Sequence, residues 1–143
     1  MKVIPTVGVL IFKNDTVLLV QHGEGGNHIK GTYGLPAGRF ELNETAREAA
    51  IRELEEETGL VSSENDLVEL PIAIPPADLL RKDGTTKRFT ITIFYCKKYT
   101  GTLRSSDETT PQWIPVKEAV TLNLEGHTKQ MIEEGFALAN NYE

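Results

Sequence analysis

Cysteine and basic residues are scarce in this chain of 143 residues. Cys96 is the only cysteine, which excludes an internal disulfide. Acidic residues number 21 against 15 lysines and arginines, so the formal net charge is −6. Nucleic-acid binding through phosphate contacts requires a basic face, and we therefore expect no nucleic-acid partner. Cys96 lies in a predicted strand, where we interpret it as a small buried hydrophobic residue rather than a catalytic thiol.

Long hydrophobic runs, repeats and linkers are also missing. The apolar runs are too short to cross a bilayer, and the run that follows Lys2 breaks at Pro5, unlike a signal peptide. No low-complexity tract divides the chain. We therefore expect a single domain over residues 1–143, located in the cytoplasm and without a membrane partner.

Residues 38–60 contain the most informative pattern in the chain. Their second half is typical of a helix, with Asn43 as the N-cap and Gly59 just past the C-terminal end. At about 100° per residue, small and aliphatic residues recur on one side, which we expect to face the protein body. The residues on that side are Ala46, Ala50 and Leu54.

Acidic residues in this helix fall on the wrong side for a purely solubilising role. Glu53, Glu56 and Glu57 are spaced i, i+3 and i+4. Glu53 and Glu57 point toward the alanine side and Glu56 lies at its edge, whereas Glu48 and Glu55 point away from it. A solvated acidic face would explain the number of these acids but not their direction. Carboxylates that repel one another near a protein body need a compensating cation, and Mg²⁺ takes carboxylate and phosphate oxygens.

The same stretch resembles the Nudix box, the signature of the Nudix hydrolase family of MutT-like pyrophosphohydrolases. Nine constrained positions spread over 23 residues match that pattern, and weaker likeness extends upstream through 31–36 and downstream through 113–115. The matching residues are Gly38, Glu44, Arg52, Glu53, Leu54, Glu56, Glu57, Gly59 and Leu60. The resemblance implies an α/β/α sandwich of the α+β class, with a mixed β-sheet between helices.

The resemblance also implies a metal site and a reaction. Family members hold Mg²⁺ or Mn²⁺ with box glutamates and often with the carbonyl of the first glycine. The corresponding metal ligands here are Gly38, Glu53, Glu56 and Glu57. Water then attacks one phosphorus of a diphosphate, and the other phosphoryl group leaves. Most of the rate enhancement should come from positioning and electrostatic stabilisation.

Supporting roles in catalysis follow from neighbouring residues. We expect Arg52 to orient Glu56. Glu44 either interacts with the metal ion from its outer coordination shell or stabilises the helix by its negative charge near the positive end of the helix dipole. Family members draw a general base either from the box or from an acid in a loop outside it. Glu108 is the candidate outside the box, followed by Asp107, although acids in loops are often simply solvated.

The substrate class stays open at this point. The resemblance implies a nucleoside diphosphate derivative as the small-molecule partner: a nucleoside triphosphate, ADP-ribose or a nucleotide sugar. Pro75 lies 15 positions after the box, as in ADP-ribose hydrolases of the family, but the short chain is similar to the nucleoside-triphosphate or nucleotide-sugar branch. Base stacking would need an aromatic residue such as Tyr33, Phe40 or Tyr95.

Three other functions of the same fold are considered. A non-catalytic nucleotide-sensing module usually has a degraded box, whereas the box here is intact. An isomerase of the isopentenyl diphosphate type needs a catalytic cysteine, and Cys96 in an ordinary strand is a poor match. RNA decapping is disfavoured by the acidic balance. A homodimer is common in the family and could complete the site.

Outside the box, alternation and turn residues predict the remaining elements. Residues 3–12 and 16–21 are predicted to pair as a hairpin of covered strands around a polar turn. Further strands are expected at 67–74, 88–97 and 113–115, and helices at 116–120 and 126–141. A turn is expected at Asp83–Gly84. The glycine-rich segment 22–28 lacks the lysine and the serine or threonine of a P-loop and is expected to be a loop near the substrate.

Overall fold

A computed structural model describes residues 1–142, and Glu143 lies outside the described residues. Nine strands and three α-helices are found within that range. The strands are β1 (Val3–Leu10), β2 (Phe12–Lys13), β3 (Thr16–His22), β4 (Tyr33–Gly34), β5 (Ala37–Arg39), β6 (Leu67–Glu69), β7 (Ala77–Leu80), β8 (Thr86–Cys96) and β9 (Thr109–Pro115). The helices are α1 (Ala46–Thr58), α2 (Val116–Ala119) and α3 (Thr128–Ala139). None of the helices in residues 1–142 has the length and apolar character that crossing a membrane requires.

The strands form two sheets. The larger sheet has the order β5-β1-β8-β6, and β7 also pairs with β8. β1 and β8 are parallel, while the other pairs in this sheet are antiparallel, so the sheet is mixed. The smaller sheet has the order β2-β3-β4, with β9 antiparallel to β3.

Helices cover both faces of the larger sheet. Alternate residues of β1 and β8 point to opposite faces, so each strand contributes to two separate clusters. On one face, α1 packs against a cluster that contains Val7, Val9, Phe94, Ala50 and Leu54. On the other face, α3 packs against a cluster that contains Leu10, Ile93, Tyr95, Met131 and Ile132. This arrangement confirms the α/β/α sandwich with a mixed sheet.

Three predictions about the strands are wrong in part. The turn after β2 is present, with Phe12 opposite Val17, but β1 does not pair with β3. Instead, the chain leaves the larger sheet at Ile11, and β3 joins the smaller one, because β8 and β5 occupy both edges of β1. The strand predicted at 67–74 ends at Glu69. The excursion after Pro75–Pro76 contains β7, and the predicted strand at 113–115 begins earlier, at Thr109.

The N-cap prediction for α1 is also wrong. Thr45, not Asn43, caps the helix, and Asn43 has a left-handed backbone with φ of 64°. The Thr45 hydroxyl accepts the Glu48 N–H at 3.1 Å, and the Glu48 carboxylate accepts the Thr45 N–H at 2.9 Å. This reciprocal capping box satisfies two orphan donors and outcompetes a single Asn cap. Gly59 ends the helix in the left-handed conformation, as predicted.

Candidate active site

Strand β5 lies close to α1 at Gly38, where an added side chain would meet the end of the Glu53 side chain. A Cβ placed on Gly38 would lie 2.2 Å from the Cδ of Glu53 and 2.3 and 2.4 Å from its two carboxylate oxygens. The Glu53 carboxylate therefore occupies the space that a side chain would otherwise fill. The Gly38 backbone and the Glu53 oxygens consequently share one small volume.

Glu57 lies one helical turn further along α1, where its side chain reaches the same strand. Its Oε1 accepts the Ala37 N–H at 2.7 Å. Burial raises the pKa of Glu57 well above its ordinary value, the Ala37 N–H opposes this shift, and the negative charges of Glu53, Glu125 and Glu108 add to it. Burial likewise raises the pKa of Glu53, against the effect of a neighbouring guanidinium. Both carboxyl groups are therefore partly desolvated, and burial is the main cause of the raised pKa of each.

Arg52 ties the acids of the box to one another. Its Nε and Nη2 donate to both oxygens of Glu44 at 2.7 and 2.8 Å, and its Nη1 donates to Glu53 at 2.7 Å. The hydrogen bonds from Arg52 lower the pKa of Glu44 to about 2. The contact with Glu56 that the sequence predicts is present but longer, at 3.2 Å. Glu44 thus holds Arg52, and Arg52 positions Glu53 more directly than it positions Glu56.

The remaining candidate residues differ in their placement. Glu108 lines the cleft that contains Glu53 and Glu57, as the sequence-based proposal of an acid outside the box requires. Glu56 is not among the residues that line this cleft; its side chain is 56% exposed and lies in a separate surface depression beside Arg52 and Arg104. The roles of both residues stay predictions. For the cleft lined by Glu53, Glu57, Glu108 and the Gly38 backbone we use the name acidic cleft.

Three loops meet at the acidic cleft and hold one another. The glycine-rich loop after β3 donates from Gly23 N–H to the Glu108 carbonyl at 2.8 Å and from Gly25 N–H to the Asp107 carbonyl at 2.9 Å. Lys82, in the turn between β7 and β8, donates its Nζ to the carbonyls of Gly23 and Glu24. The loop before β9 and the β7–β8 turn are thus both fastened to the glycine-rich loop, which confirms that this loop lies beside the cleft.

An apolar pocket continues from the acidic cleft on the α3 side of the larger sheet. The two cavities share five lining residues, namely His28, Ala37, Gly38, Arg39 and Arg81. The walls of the apolar pocket include Ile74, Pro75, Leu79, Phe89, Ile91 and Met131. A ligand with a charged and an apolar part could therefore occupy both cavities at once.

The aromatic residues that the sequence suggested for base stacking are not the ones that line this pocket. Tyr95 is 4% exposed and belongs to the core, and Tyr33 packs against the same cluster. Phe40 lines the acidic cleft, and Phe89 lines the apolar pocket. The sequence did not single out Phe89, because the regular alternation of its strand does not show which of the buried positions line a pocket.

Sequence reasoning missed a cluster of His22, His28 and Glu125, in which His28 and Glu125 line the apolar pocket and His22 lines the acidic cleft. His22 Nε2 and His28 Nδ1 lie 3.2 and 2.5 Å from separate oxygens of Glu125. The two imidazole rings stack with centroids 3.8 Å apart. Candidate ligand atoms of the three residues lie within 4.8 Å of one another, so the group could also hold a metal ion. No sequence signal joins Glu125 to histidines about a hundred residues earlier.

Glu125 should make the stability of the protein depend on acidic pH. Burial raises the pKa of Glu125, but hydrogen bonds from His22 and His28 and their charges lower it, with a net result of about 2. Because the pKa is depressed in the folded state, the stabilisation is present above the ordinary value of 4.5 and is lost as pH falls toward 2. It amounts to at most about 3 kcal/mol. In urea unfolding between these pH values, Glu125→Gln should show a shallower loss of stability than wild type.

The exposed residue Glu133 on α3 provides the control for that prediction. Glu133→Gln should retain the wild-type pH dependence of the unfolding free energy. If the unfolding free energies of wild type and Glu125→Gln fall equally steeply as the pH is lowered, Glu125 contributes no such stabilisation.

Comparison with known proteins agrees with this architecture. The sequence profile described as the NUDIX domain matches residues 2–134. An ADP-ribose pyrophosphatase from Methanocaldococcus jannaschii is 39% identical over 66 residues, which cover 45% of this chain and 38% of that protein. A putative 8-oxo-dGTP diphosphatase 3 from Mycobacterium tuberculosis is 29% identical over 107 residues, which cover 75% of this chain and 48% of that protein. The chain thus spans less than half the length of either relative.

A solved structure shows the same fold at low sequence identity. The NUDIX domain of Shewanella oneidensis NrtR, in complex with ADP ribose, superposes with a TM-score of 0.73 at 19% identity. The superposition covers 96% of this chain and 88% of that one. The profile match extends across nearly all of the chain, well beyond residues 38–60. The chain therefore belongs to the NUDIX domain family.

Proposed function

We propose that the protein is a divalent-metal-dependent pyrophosphohydrolase that cleaves the diphosphate linkage of a nucleoside diphosphate derivative. The observation that carries this proposal is the pair Glu53 and Glu57, whose carboxylates meet the backbone of Ala37 and Gly38 beside an apolar pocket. The names of the two relatives, a pyrophosphatase and a diphosphatase, support the same reaction class.

The residues fit Mg²⁺ or Mn²⁺ as the cofactor. Hard divalent cations prefer carboxylate and carbonyl oxygens, which the acidic cleft offers in Glu53, Glu57 and the Gly38 backbone. Glu56, which the sequence also suggests as a ligand, would have to turn its exposed side chain toward the cleft to join this set. When bound, the cation would supply positive charge to the phosphate oxygens and acidify a water molecule.

The protein's own residues divide the remaining work. Arg52 holds Glu53 in place, and the Ala37 N–H holds Glu57, so that both carboxylates keep their direction. Water attacks one phosphorus, the bond to the bridging oxygen breaks, and the second phosphoryl group leaves with that oxygen. Glu108 faces the same cleft and accepts the proton of the attacking water in this scheme. The apolar pocket receives the part of the substrate beyond the diphosphate.

Substrate choice within this class is the finer part of the proposal. Pro75, which the sequence connects with ADP-ribose hydrolases, lines the apolar pocket. ADP-ribose and nucleoside triphosphates are therefore the first compounds to compare. The single domain over 1–143, the homodimer and the cytoplasmic location stay predictions.

The other functions of the fold lack a supporting observation. Cys96 is 2% exposed and lies in the cluster beneath α1, where its Sγ contacts the Ser62 hydroxyl and the Lys98 carbonyl. Burial raises the pKa of the Cys96 thiol, which disfavours the reactive thiolate. An isomerase mechanism based on this cysteine is therefore not proposed.

A substrate panel tests the proposed function. The purified protein is incubated with Mg²⁺ and with nucleoside triphosphates, ADP-ribose, nucleotide sugars or diadenosine polyphosphates, and the products are separated by chromatography. We expect release of a nucleoside monophosphate from one class, abolished by EDTA. In H₂¹⁸O the label should enter one phosphate product, which identifies the attacked phosphorus. Glu108→Gln should lower the rate and alter its pH profile.

Two results would contradict this proposal. Turnover that persists in EDTA would remove the metal requirement. Binding of a panel compound by thermal shift without any turnover would indicate a sensing module instead. An unchanged rate and pH profile in Glu108→Gln would remove Glu108 alone and leave the rest of the scheme.

A further inference from the structure

Arg81 is a largely buried residue whose guanidinium opens onto two cavities. Arg81 is only 7% exposed, although it lies in the turn between β7 and β8 and lines both the acidic cleft and the apolar pocket. Within residues 1–142, its guanidinium forms no hydrogen bond or ion pair. Each of its nitrogens keeps some contact with solvent, because no side-chain nitrogen in residues 1–142 is both fully buried and without a partner. The guanidinium therefore has unused N–H donors that are open to the cavities.

The backbone around Arg81 is held firmly. The Arg81 N–H donates to the Thr85 carbonyl at 2.7 Å, and the Gly84 N–H donates to the Arg81 carbonyl at 3.0 Å. The next residue, Lys82, fastens the turn to the glycine-rich loop through the Gly23 carbonyl. The guanidinium is therefore placed in the cleft by its surroundings and does not merely extend from a free loop.

Nearby acids are already engaged by other groups. Among these acids, Glu125 has the largest electrostatic effect on Arg81, yet both oxygens of Glu125 contact histidines. Asp83 accepts hydrogen bonds from the N–H and hydroxyl of Thr85. The acids near Arg81 thus leave its hydrogen-bonding capacity unused.

A second arginine approaches from the opposite side of the pocket mouth. Arg39 on β5 and Arg81 both contact the Phe89 ring, with guanidinium carbons 5.6 and 5.2 Å from the ring centroid. The Arg39 side chain also forms no hydrogen bond or ion pair with any described residue. Two like charges near one ring repel each other, and the positive charge of Arg39 contributes to a lowered pKa of Arg81, after burial. An anion between them would relieve this repulsion.

We propose that Arg81, assisted by Arg39, binds a phosphate group of the substrate where the acidic cleft meets the apolar pocket. A guanidinium presents several N–H donors in one plane, which suits phosphate oxygens better than a single ammonium would. The inference rests on the proposed function and deepens it, because it assigns the substrate phosphate beside the apolar pocket to Arg81. Arg81 then selects for compounds whose diphosphate continues directly into the group held in that pocket.

Binding of inorganic pyrophosphate in EDTA tests this proposal without relying on turnover. Isothermal titration is carried out on wild type, Arg81→Met and Arg88→Met. Arg88 is the matched control because it belongs to the same β7–β8 hairpin but pairs with Asp78, away from both cavities. We expect Arg81→Met to weaken pyrophosphate binding by about tenfold or more and Arg88→Met by less than about twofold.

A stability measurement separates phosphate binding from a structural role. Met preserves the apolar stem that packs on Phe89 and removes the unpaired charge, so Arg81→Met without ligand should unfold at the wild-type temperature or above it. A structural arginine would show the opposite change. Arg81→Lys should recover part of the lost pyrophosphate affinity.

The proposal is overturned if wild type does not bind pyrophosphate in EDTA, or if Arg81→Met binds it as tightly as wild type. It is also overturned if Arg81→Met is destabilised while its affinity is unchanged. Failure of the proposed hydrolase function would look different, because the substrate panel would then show no turnover while wild type and Arg81→Met still differed in pyrophosphate affinity in EDTA.

Discussion

Replacing Glu57 with Gln should abolish turnover while leaving the fold intact. Glutamine has nearly the same shape, and its side-chain oxygen can still accept the Ala37 N–H that Glu57 accepts at 2.7 Å. What disappears is one full negative charge from the acidic cleft. We expect the turnover number to fall by at least about 10³-fold, because that charge would hold the cation opposite the phosphate. Chromatographic assay of the preferred panel substrate measures this change.

The control for Glu57→Gln lies on the same helix. Glu55 is exposed on the far face of α1, so Glu55→Gln should retain wild-type turnover. Removing a carboxylate whose pKa is raised by burial should also leave the unfolding temperature of Glu57→Gln at or above that of wild type. Wild-type turnover in Glu57→Gln would remove Glu57 from the catalytic assignment.

Adding one methyl group at Gly38 should have the second-largest effect. The Cβ of Gly38→Ala would lie 2.2 Å from the Glu53 Cδ, far inside van der Waals contact, so the carboxylate must move. A displaced Glu53 would no longer share its volume with the Gly38 backbone. We expect turnover to fall by about 10²-fold and stability by about 1 kcal/mol, the low end of the usual cost of overpacking, because the atoms that the methyl group meets are the far end of a flexible side chain. The measurements are the same assay and urea unfolding.

A double-mutant cycle isolates the steric origin of the Gly38 effect. Glu53→Ala removes the atoms that the new methyl group would meet, so adding Gly38→Ala to Glu53→Ala should cost far less stability than adding it to wild type. Neither variant with Glu53→Ala is expected to recover turnover. Equal stability costs in both backgrounds would show that Gly38 is needed for another reason than the approach of Glu53.

Local periodicity explains why much of α1 could be interpreted from sequence. Ala50 and Leu54 are fully buried, and Glu48 and Glu55 are exposed, as the 3.6-residue repeat predicts. The same repeat directs Glu53 and Glu57 toward the sheet. The N-cap was misassigned because both Asn43 and Thr45 are good caps by residue type, and only the partner at Glu48 distinguishes them.

The helix, the direction of its acids and the resemblance that led to the fold could be predicted from residues 38–60 alone, because all three depend on spacing within one segment. Tertiary structure alone decided that β1 pairs with β8 and β5, that Phe89 faces a gap beneath α3, and that Arg81 lies buried at the mouth of that gap. It also brought His22 and His28 to Glu125. Each of these contacts joins segments that are far apart in the chain. The residue pattern of a single strand does not show which other strands it will pair with in a sheet.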